Sequence, residues 1–369
     1  MKLQRHGLIA CLALTAAITL SACGSDNESP STPAASGGAS TAAADCASGT
    51  LNLFGSSAQK NAMDEWRKAY QTQCSGTTIN YEPNGSGAGI QSFIAGTADF
   101  AGSDSALKDD EQPKADARCA SGPAIHLPMV IGPIAVAYNL PGVDGLQLKP
   151  DTLAKIFNGS IKKWDDPAIK ADNASATLPS TAIQTVHRSD ESGTTDNFTK
   201  YLSTVAASDW TFGNAKAWKA PGGTGSKGSD GVAGSVKSTE GSIAYMEWSF
   251  AENGGLSKAK IQNGNGEFTE LTAEAAGKTI AGAEVTGTGD DLKLKIDYAT
   301  KTPGAYPIVL ATYEVVCSKG TPADKLALVK GFLTYAASAE GQGSLTELGY
   351  APLPSEVQTK VQASIKNLA

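Results

Sequence analysis

The sequence predicts an α/β protein with parallel sheets divided between two domains. Apolar, β-branched segments of strand length alternate through most of the chain with segments whose apolar residues recur at helical spacing. This alternation is typical of α/β layers built on parallel sheets. The 324 residues from Cys46 onward are enough for two domains with a large buried core. The 40 glycines indicate many tight turns between these elements.

Two long apolar runs mark where we expect the chain to cross between the domains. Residues 124–139 are interrupted by Gly132 and Pro133 and are too long for one central strand, so we expect two strands with a joint between them. Residues 303–316 form the second run. These crossings predict one lobe made of residues 46–134 and 304–369 and a second lobe made of residues 135–303.

The first 22 residues have the pattern of a secretory signal peptide. Lys2 and Arg5 supply its positive start, and residues 8–20 form an apolar stretch that is too short for a comfortable membrane span. Removing this peptide changes the formal net charge from −7 to −9, because it carries those two basic residues. Such an acidic balance argues against a nucleic-acid partner. It also means that local donors must capture any anion, because the overall field opposes it.

The signal peptide ends in residues 20–23 (LSAC), which resemble a bacterial lipobox. This motif predicts a lipoprotein signal peptide of residues 1–22, with cleavage before Cys23 and a lipid on its thiol. The protein would then be anchored outside the cytoplasm on the cell membrane, whereas plain secretion with a chance cysteine is the alternative. Residues 23–45 are rich in serine, alanine, glycine and proline without apolar periodicity, which predicts a flexible tether.

Four further cysteines lie beyond the expected lipid site. An extracytoplasmic compartment is oxidising, so two disulfides are favoured over free thiols. A metal site is not expected, because no Cys-x-x-Cys spacing or nearby histidine supports one. Three pairings are possible. Two of the cysteines each precede a strand candidate, and neighbouring parallel strands would bring them together, which favours Cys46–Cys74 with Cys119–Cys317.

The most informative stretch of the chain is residues 188–195 (RSDESGTT). It follows a strand candidate at residues 183–186 and precedes residues 198–205, whose apolar side chains recur at helical spacing. Unpaired backbone N–H groups and the helix dipole favour negative charge at the start of a helix. Two hydroxyl groups and the planar guanidinium of Arg188 add further donors. We therefore expect this turn to bind a tetrahedral oxyanion, with phosphate as the natural candidate.

The same construction occurs twice more. A strand candidate at residues 51–54 leads into residues 55–58 (GSSA), and another at residues 78–81 leads into residues 84–89 (NGSGAG), each before a helical pattern. Both turns offer serine hydroxyls at N-cap positions and glycines that let a ligand approach the backbone. Each turn alone is more often an ordinary capped turn. Three in one chain, one of them with an arginine, indicate a shared anion site.

Together these motifs resemble the phosphate-binding component of the phosphate-specific ABC importer, in its lipoprotein form. The resemblance covers residues 49–369 and rests on the three turns and on residues 101–104 (AGSD), 161–166 (IKKWDD) and 225–231 (GSKGSDG). It implies the two-lobed periplasmic-binding-protein fold of type II, in which two α/β domains joined by a hinge close on one phosphate. It further implies a monomer that delivers phosphate to a membrane-embedded ABC permease, without catalysis and without a cofactor.

The resemblance also implies the phosphate contacts residue by residue. The expected contacts from one lobe are Ser57, Ala58 through its backbone N–H, Ser86 and Asp104. The expected contacts from the other lobe are Arg188, Ser192, Gly193 and Thr194. Asp190 would hold the guanidinium in place, because a free arginine side chain rotates and a paired one is aimed.

Asp104 is predicted to set the selectivity of the site. A carboxylate beside an anion is repulsive unless the ligand donates a proton to it. Phosphate carries one or two protons at neutral pH, whereas sulfate carries none and would leave a desolvated carboxylate facing an oxygen lone pair. Sites built around a donor on the ligand can reject the analogue lacking it by roughly 10⁴ to 10⁵. The ordinary alternative is that Asp104 caps a turn after Ser103.

Two other functions are compatible with an anion site. A secreted phosphatase would use Ser192 or another nucleophile on phosphate esters, and a receptor or adhesin would have kept the fold for interaction. Beyond the signal peptide, only His126 and His187 are available as histidine bases. His187 should face away from Arg188, because adjacent residues on a strand point to opposite faces. The sequence therefore favours binding over catalysis.

Overall fold

The computed structural model of the chain describes residues 46–369. The predicted signal peptide, the lipidation site at Cys23 and the tether of residues 23–45 lie outside the described residues. Over residues 46–369, no helix has both the length and the apolar character needed to cross a membrane.

Strands and helices alternate along the described chain, as the sequence predicts. The strands are β1 (Gly49–Gly55), β2 (Thr77–Glu82), β3 (Phe100–Ser103), β4 (Ala124–Asn139), β5 (Gln147–Leu148), β6 (Gln184–Arg188), β7 (Thr224–Ser226), β8 (Ser242–Glu247), β9 (Ser257–Lys258), β10 (Lys260–Gln262), β11 (Phe268–Thr269), β12 (Glu284–Val285), β13 (Leu294–Lys295) and β14 (Val309–Cys317). The helices are α1 (Lys60–Gln73), α2 (Ser86–Ile94), α3 (Gln112–Cys119), α4 (Pro150–Phe157), α5 (Pro167–Asp172), α6 (Gly193–Val205), α7 (Gly228–Ser238), α8 (Trp248–Gly254), α9 (Ala273–Ala281), α10 (Ala323–Ala336), α11 (Ala339–Gly343) and α12 (Ser355–Asn367), with a 3₁₀ turn at Thr346–Leu348.

The main sheet has the strand order β2-β1-β3-β14-β4-β8-β6-β7, with β9 paired to β4. Strands β1, β2 and β3 are parallel at one end, and β6, β7 and β8 are parallel at the other. Between them, β14 pairs antiparallel with β3 and β4, and β4 pairs antiparallel with β8. The parallel strands that the sequence predicts therefore form the two ends of the sheet, and the antiparallel strands β4 and β14 join them. A chain that leaves one half of the molecule and later returns crosses the boundary in opposite directions, so its two crossing strands pair antiparallel.

Strand β4 joins the two halves of the sheet. It is one continuous strand of 16 residues, so the expectation of two strands separated by a joint was wrong. The partner changes where the joint was expected: β4 pairs with β14 up to Pro133 and with β8 from Ile134 onward. Because β14 and β8 cover different halves of β4, one long strand can serve two lobes while its backbone stays paired.

The helices that were predicted from apolar spacing are present. Helix α1 buries Met63, Trp66 and Tyr70 on one face, and α6 buries Phe198 and Tyr201 on another. These side chains pack into the largest core cluster of the described residues. This packing holds the start of α1 near the end of β1 and the start of α6 near the end of β6, where the sequence predicts ligand contacts.

Two disulfides pin the ends of the elements around the first half of the sheet. The bonds are Cys46–Cys74, with Cα atoms 5.3 Å apart, and Cys119–Cys317, with Cα atoms 5.2 Å apart. The first ties the segment before β1 to the segment before β2, and the second ties the end of α3 to the end of β14. This is the pairing that the positions of the strand candidates favoured.

Candidate anion-binding site

The starts of α2 and α6 meet where the two lobes contact each other, and we call this buried boundary the cleft. The hydroxyl of Ser86, the first residue of α2, accepts the backbone N–H of Gly193, the first residue of α6, at 3.2 Å. A Cβ atom on Gly193 would lie 2.5 Å from the Cβ of Asp104 and 2.7 Å from the Ser86 hydroxyl oxygen. Only a glycine allows this approach. Residues more than 100 positions apart in the chain therefore form one polar site.

We call Ser57, Ala58, Ser86 and Asp104 the first wall of the cleft, and Ser86 lies at its centre. Its hydroxyl oxygen accepts the backbone N–H of Asp104 at 3.2 Å and lies 3.4 Å from the Asp104 carboxylate. The prediction that serine hydroxyls cap the first two helices was wrong. The N-caps of α1 and α2 are Gln59 and Gly85, and neither has a capping side-chain hydrogen bond. Because Ser86 caps no helix, its hydroxyl oxygen can accept the backbone N–H groups of Asp104 and Gly193 instead.

Asp104 lies at the base of this wall and is 3% exposed. Its Oδ1 accepts the hydroxyl of Thr312 at 2.8 Å, whereas its Oδ2 has only long contacts, 3.4 Å to Ser86 and 3.5 Å to Thr194. Burial raises the pKa of Asp104 above its ordinary value of 3.8, although hydroxyl donors, including Ser56 and Thr312, and the charge of Arg188 lower it. One oxygen is thus held by the protein, and the other can accept a proton from a ligand.

Ser57 and Ala58 meet different neighbours. The Ser57 hydroxyl oxygen lies 3.0 Å from the hydroxyl oxygen of Ser229 and accepts the backbone N–H of Ser229 at 3.1 Å. These contacts link α7 to the first wall. The backbone N–H of Ala58 donates to the Ser56 hydroxyl oxygen at 3.0 Å. A ligand oxygen would therefore have to replace or share the Ser56 hydroxyl in order to use the predicted Ala58 donor.

We call Arg188, Ser192, Gly193 and Thr194 the second wall of the cleft. Arg188 supplies its positive charge. The side chain is 3% exposed, its Nε donates to Asp190 Oδ1 at 2.8 Å, and its Nη2 donates to Asp190 Oδ2. Burial would raise the pKa of Asp190, but the hydrogen bond and the charge of Arg188 outweigh it, so the pKa lies below 3.8. Two of the five guanidinium N–H groups are used in this pair, which fixes its plane and leaves three donors.

The start of α6 completes the second wall. Ser192 is the N-cap, and its hydroxyl oxygen accepts the backbone N–H of Thr195 at 3.3 Å. The Thr194 hydroxyl points toward Asp104, 3.5 Å from its Oδ2. The hydroxyls of Ser86, Thr194 and Thr312 therefore contact the buried carboxylate of Asp104, and the charge of Arg188 also acts on it. Such a set suits a small oxyanion that also carries a proton.

Several side chains of the site were missed from the sequence. Asn197 donates from Nδ2 to the carbonyl oxygens of Asp104 at 2.7 Å and Gly193 at 2.8 Å, and so joins the two walls. Thr312 lies in the fully buried strand β14. Its only signal is a hydroxyl in a mostly apolar run that also contains Tyr313 and Glu314. Asn197 follows Gly193 by four residues, one helical turn, which gives a weak signal on its own.

Both histidines that were considered as bases are engaged elsewhere. His126 is fully buried, accepts the Leu107 backbone N–H at Nε2, and has Nδ1 2.7 Å from Asp291. The ring of His187 stacks on Trp218 with centroids 5.0 Å apart. In the described part of the chain, no group of three or more histidine, cysteine, aspartate or glutamate side chains could hold a metal ion.

Comparison with known proteins places the chain. Residues 40–340 match the PBP superfamily domain. A protein of Mycobacterium tuberculosis named phosphate-binding protein PstS 3 is 46% identical over 373 residues, which cover 100% of both chains. This chain belongs to the PstS family of phosphate-binding proteins.

Solved structures agree with the family on the fold. The structure of a high-affinity periplasmic phosphate-binding protein bound with phosphate gives a TM-score of 0.69 at 22% identity, covering 85% of this chain and 93% of that one. A phosphate-binding protein from Stenotrophomonas maltophilia gives 0.67 at 18% identity, covering 86% and 94%. These likenesses and the PBP superfamily domain confirm the predicted α/β, two-lobed periplasmic-binding fold of this PstS family member.

Proposed function

We propose that this chain captures inorganic phosphate between its two lobes, outside the cytoplasm, and delivers it to a membrane-embedded ABC permease without chemical change. The observation that carries the proposal is the placing of Asp104 among anion donors. An anion alone would be repelled by this carboxylate, and a neutral donor would not need Arg188. A protonated oxyanion satisfies both, because it accepts from the donors and donates one proton to Asp104.

We propose the phosphate contacts that the sequence predicts. They are Ser57, Ala58, Ser86 and Asp104 from the first wall and Arg188, Ser192, Gly193 and Thr194 from the second, with Asp190 positioning the arginine. Micromolar binding needs about −8 kcal/mol. Charge-assisted hydrogen bonds contribute roughly 1.5–3 kcal/mol each, so this set can supply micromolar or tighter binding after ordering costs are subtracted.

Phosphate capture would use closure of the lobes. We assign residues 46–134 and 304–369 to the first lobe and residues 135–303 to the second, with β4 and the segment before β14 as crossings. The change of partner along β4 at Pro133 and Ile134 supports this boundary. Closure would bring the two walls together around the anion and exclude water, which strengthens each charged contact.

The chain would act at the outer face of a cell membrane. The lipobox-like residues 20–23 (LSAC) support a lipid on Cys23, and residues 23–45 would tether the folded part as a monomer near the permease. The matched structure described as periplasmic supports an extracytoplasmic location. Labelling with a radioactive fatty acid in cells would test the anchor, and a Cys23→Ala variant that still carries the label would refute it.

Calorimetric titration tests the binding proposal. The purified chain, stripped of bound anion, should bind phosphate tightly with one site and give no heat with sulfate at neutral pH. Absence of heat with phosphate would overturn the proposal. A phosphatase is the rival function, and turnover of a phosphate ester at a rate that Ser192→Ala abolishes would establish it in place of simple capture.

A further inference from the structure

A buried ion pair joins the two lobes beside the anion site. The ammonium group of Lys216 lies 2.8 Å and 3.0 Å from the two carboxylate oxygens of Glu111. The Lys216 side chain is 1% exposed and the Glu111 side chain is 8% exposed. Glu111 immediately precedes α3, and Lys216 follows α6 in the loop before β7. None of the motifs that carry the family resemblance contains either residue.

Each partner is also tied to its own side of the cleft. Glu111 Oε2 accepts the backbone N–H of Lys108 at 2.9 Å, which fixes the carboxylate. The backbone carbonyl of Lys216 accepts the N–H of Ser192 at 3.0 Å. Because Ser192 is the N-cap of α6 and a proposed phosphate contact, Lys216 reaches from the phosphate-binding turn to the opposite lobe.

We propose that the Lys216–Glu111 pair is an interlobe latch that sets how long bound phosphate is retained, with Lys216 as a positioning residue for the turn at Ser192. The inference rests on the proposed function. Separation of the lobes would return both charges to water, and closure buries them together. A buried charge without its partner is strongly unfavourable, so the loss of one partner penalises the closed state more than the open one.

The latch predicts an effect on dissociation more than on association. Stopped-flow displacement and calorimetry should show that Lys216→Met and Glu111→Gln each weaken phosphate binding by about 100-fold, mainly through faster release. The double variant should recover to within about tenfold of the original protein, because neither charge is then left unpaired. This non-additivity separates a specific pair from two independent packing defects.

A control pair lies within one lobe. Lys149, whose side chain is 40% exposed, pairs at 3.1 Å with Asp172, whose side chain is 1% exposed. Lys149→Met should lower the melting temperature of the phosphate-free protein and leave phosphate release unchanged. Lys216→Met should leave the melting temperature of the phosphate-free protein unchanged and should speed phosphate release, because the pair separates when the lobes open. Lys216→Arg keeps the charge and should retain phosphate within about tenfold of the original protein, whether or not the methionine variant folds.

The outcomes distinguish the latch from the function on which it rests. If the original protein binds no phosphate, the proposed function fails and the latch fails with it. If the original protein binds phosphate and the single variants release it within twofold of its rate, the latch is wrong and the function stands. Additive losses in the double variant, or loss in Lys216→Arg equal to that in Lys216→Met, would also overturn the pair.

Discussion

The cleft contains two aspartates, Asp104 and Asp190, whose surroundings shift their pKa values in opposite directions. Asp190 meets the guanidinium of Arg188 through two hydrogen bonds, and its pKa lies below the ordinary 3.8. Asp104 is more deeply buried, its carboxylate accepts the neutral hydroxyl of Thr312, and its pKa lies above 3.8. The first carboxylate is satisfied by the protein itself. The second has one oxygen with only long contacts to hydroxyl groups, and in our proposal this oxygen accepts the proton of the ligand.

We propose that this difference lets one site both attract an anion and discriminate between anions. In this proposal, attraction comes from Arg188 and the start of α6, and Asp190 fixes the direction of the guanidinium charge. Discrimination comes from Asp104, whose carboxylate opposes every anion except one that donates to it. If this division is right, substitutions of the two aspartates should have different consequences.

Removal of Arg188 should have the largest effect. Arg188→Ala takes away the positive charge and leaves Asp190 unpaired beside the ligand, so both aspartates would then repel an anion. We expect phosphate affinity measured by calorimetry to fall by about 10³-fold, because unpairing a buried charge typically costs about 3–5 kcal/mol. Arg67→Ala is the matched control, since Arg67 pairs with Asp64 on α1. Unchanged affinity in Arg188→Ala would remove it from the site.

Substitution of Asp104 should change selectivity. Asp104→Asn replaces an acceptor with an amide that can also donate, so sulfate would no longer face a carboxylate. We expect the ratio of phosphate to sulfate affinity to fall by about 100-fold, a part of the range open to such sites. Competition titration with the two anions measures this ratio. Asp190→Asn should weaken both anions without changing it, and an unchanged ratio in Asp104→Asn would contradict the role of Asp104.

Replacement by asparagine should shift stability in one direction at Asp104 and in the opposite direction at Asp190. A raised pKa means that Asp104 favours the folded state below pH 3.8 and loses this contribution as the pH rises through its folded pKa. A lowered pKa means that Asp190 favours the folded state above pH 3.8 and loses this contribution as the pH falls. At pH 7 without phosphate, Asp104→Asn should therefore raise the free energy of unfolding by about 1 kcal/mol, whereas Asp190→Asn should lower it by about 1–2 kcal/mol.

Denaturant unfolding of the phosphate-free variants measures these changes. Residual phosphate would add stability through binding, so the protein must be stripped first. Changes of the same sign in the unfolding free energy of both variants would contradict the opposite pKa shifts of the two carboxylates.

Glu314 extends the comparison to a buried carboxylate with no cationic partner within residues 46–369, where only the neutral side chain of Gln59 lowers the pKa. It is 1% exposed in β14, and neither carboxylate oxygen has a hydrogen-bond partner among the described residues. Burial raises its pKa from 4.5 to about 8. Its contribution to stability is present below pH 4.5 and is lost as the pH rises through about 8. Glu314→Gln should therefore reduce the loss of unfolding free energy between pH 6 and pH 8 by on the order of 1 kcal/mol. An identical pH profile would contradict this expectation.

The sequence alone determined the features that depend on neighbours along the chain. Apolar spacing located α1, α2 and α6. The α/β class and the favoured disulfide pairing also follow from local patterns, because a strand candidate and the cysteine before it are adjacent in sequence. The assigned contacts of the anion site came through the family resemblance and stay predictions, as does the lipid on Cys23.

The tertiary structure decided what depends on distant partners. Asp104 and Thr312 are separated by 208 positions, and Glu111 and Lys216 by 105, so no local pattern pairs them. The antiparallel crossing strands and the change of partner along β4 likewise depend on where the chain returns. Backbone propensity acts over a few residues, whereas the environment of a carboxylate is set by whatever the fold packs against it. For that reason the sequence could name Asp104 and Asp190 but could not show their opposite pKa shifts.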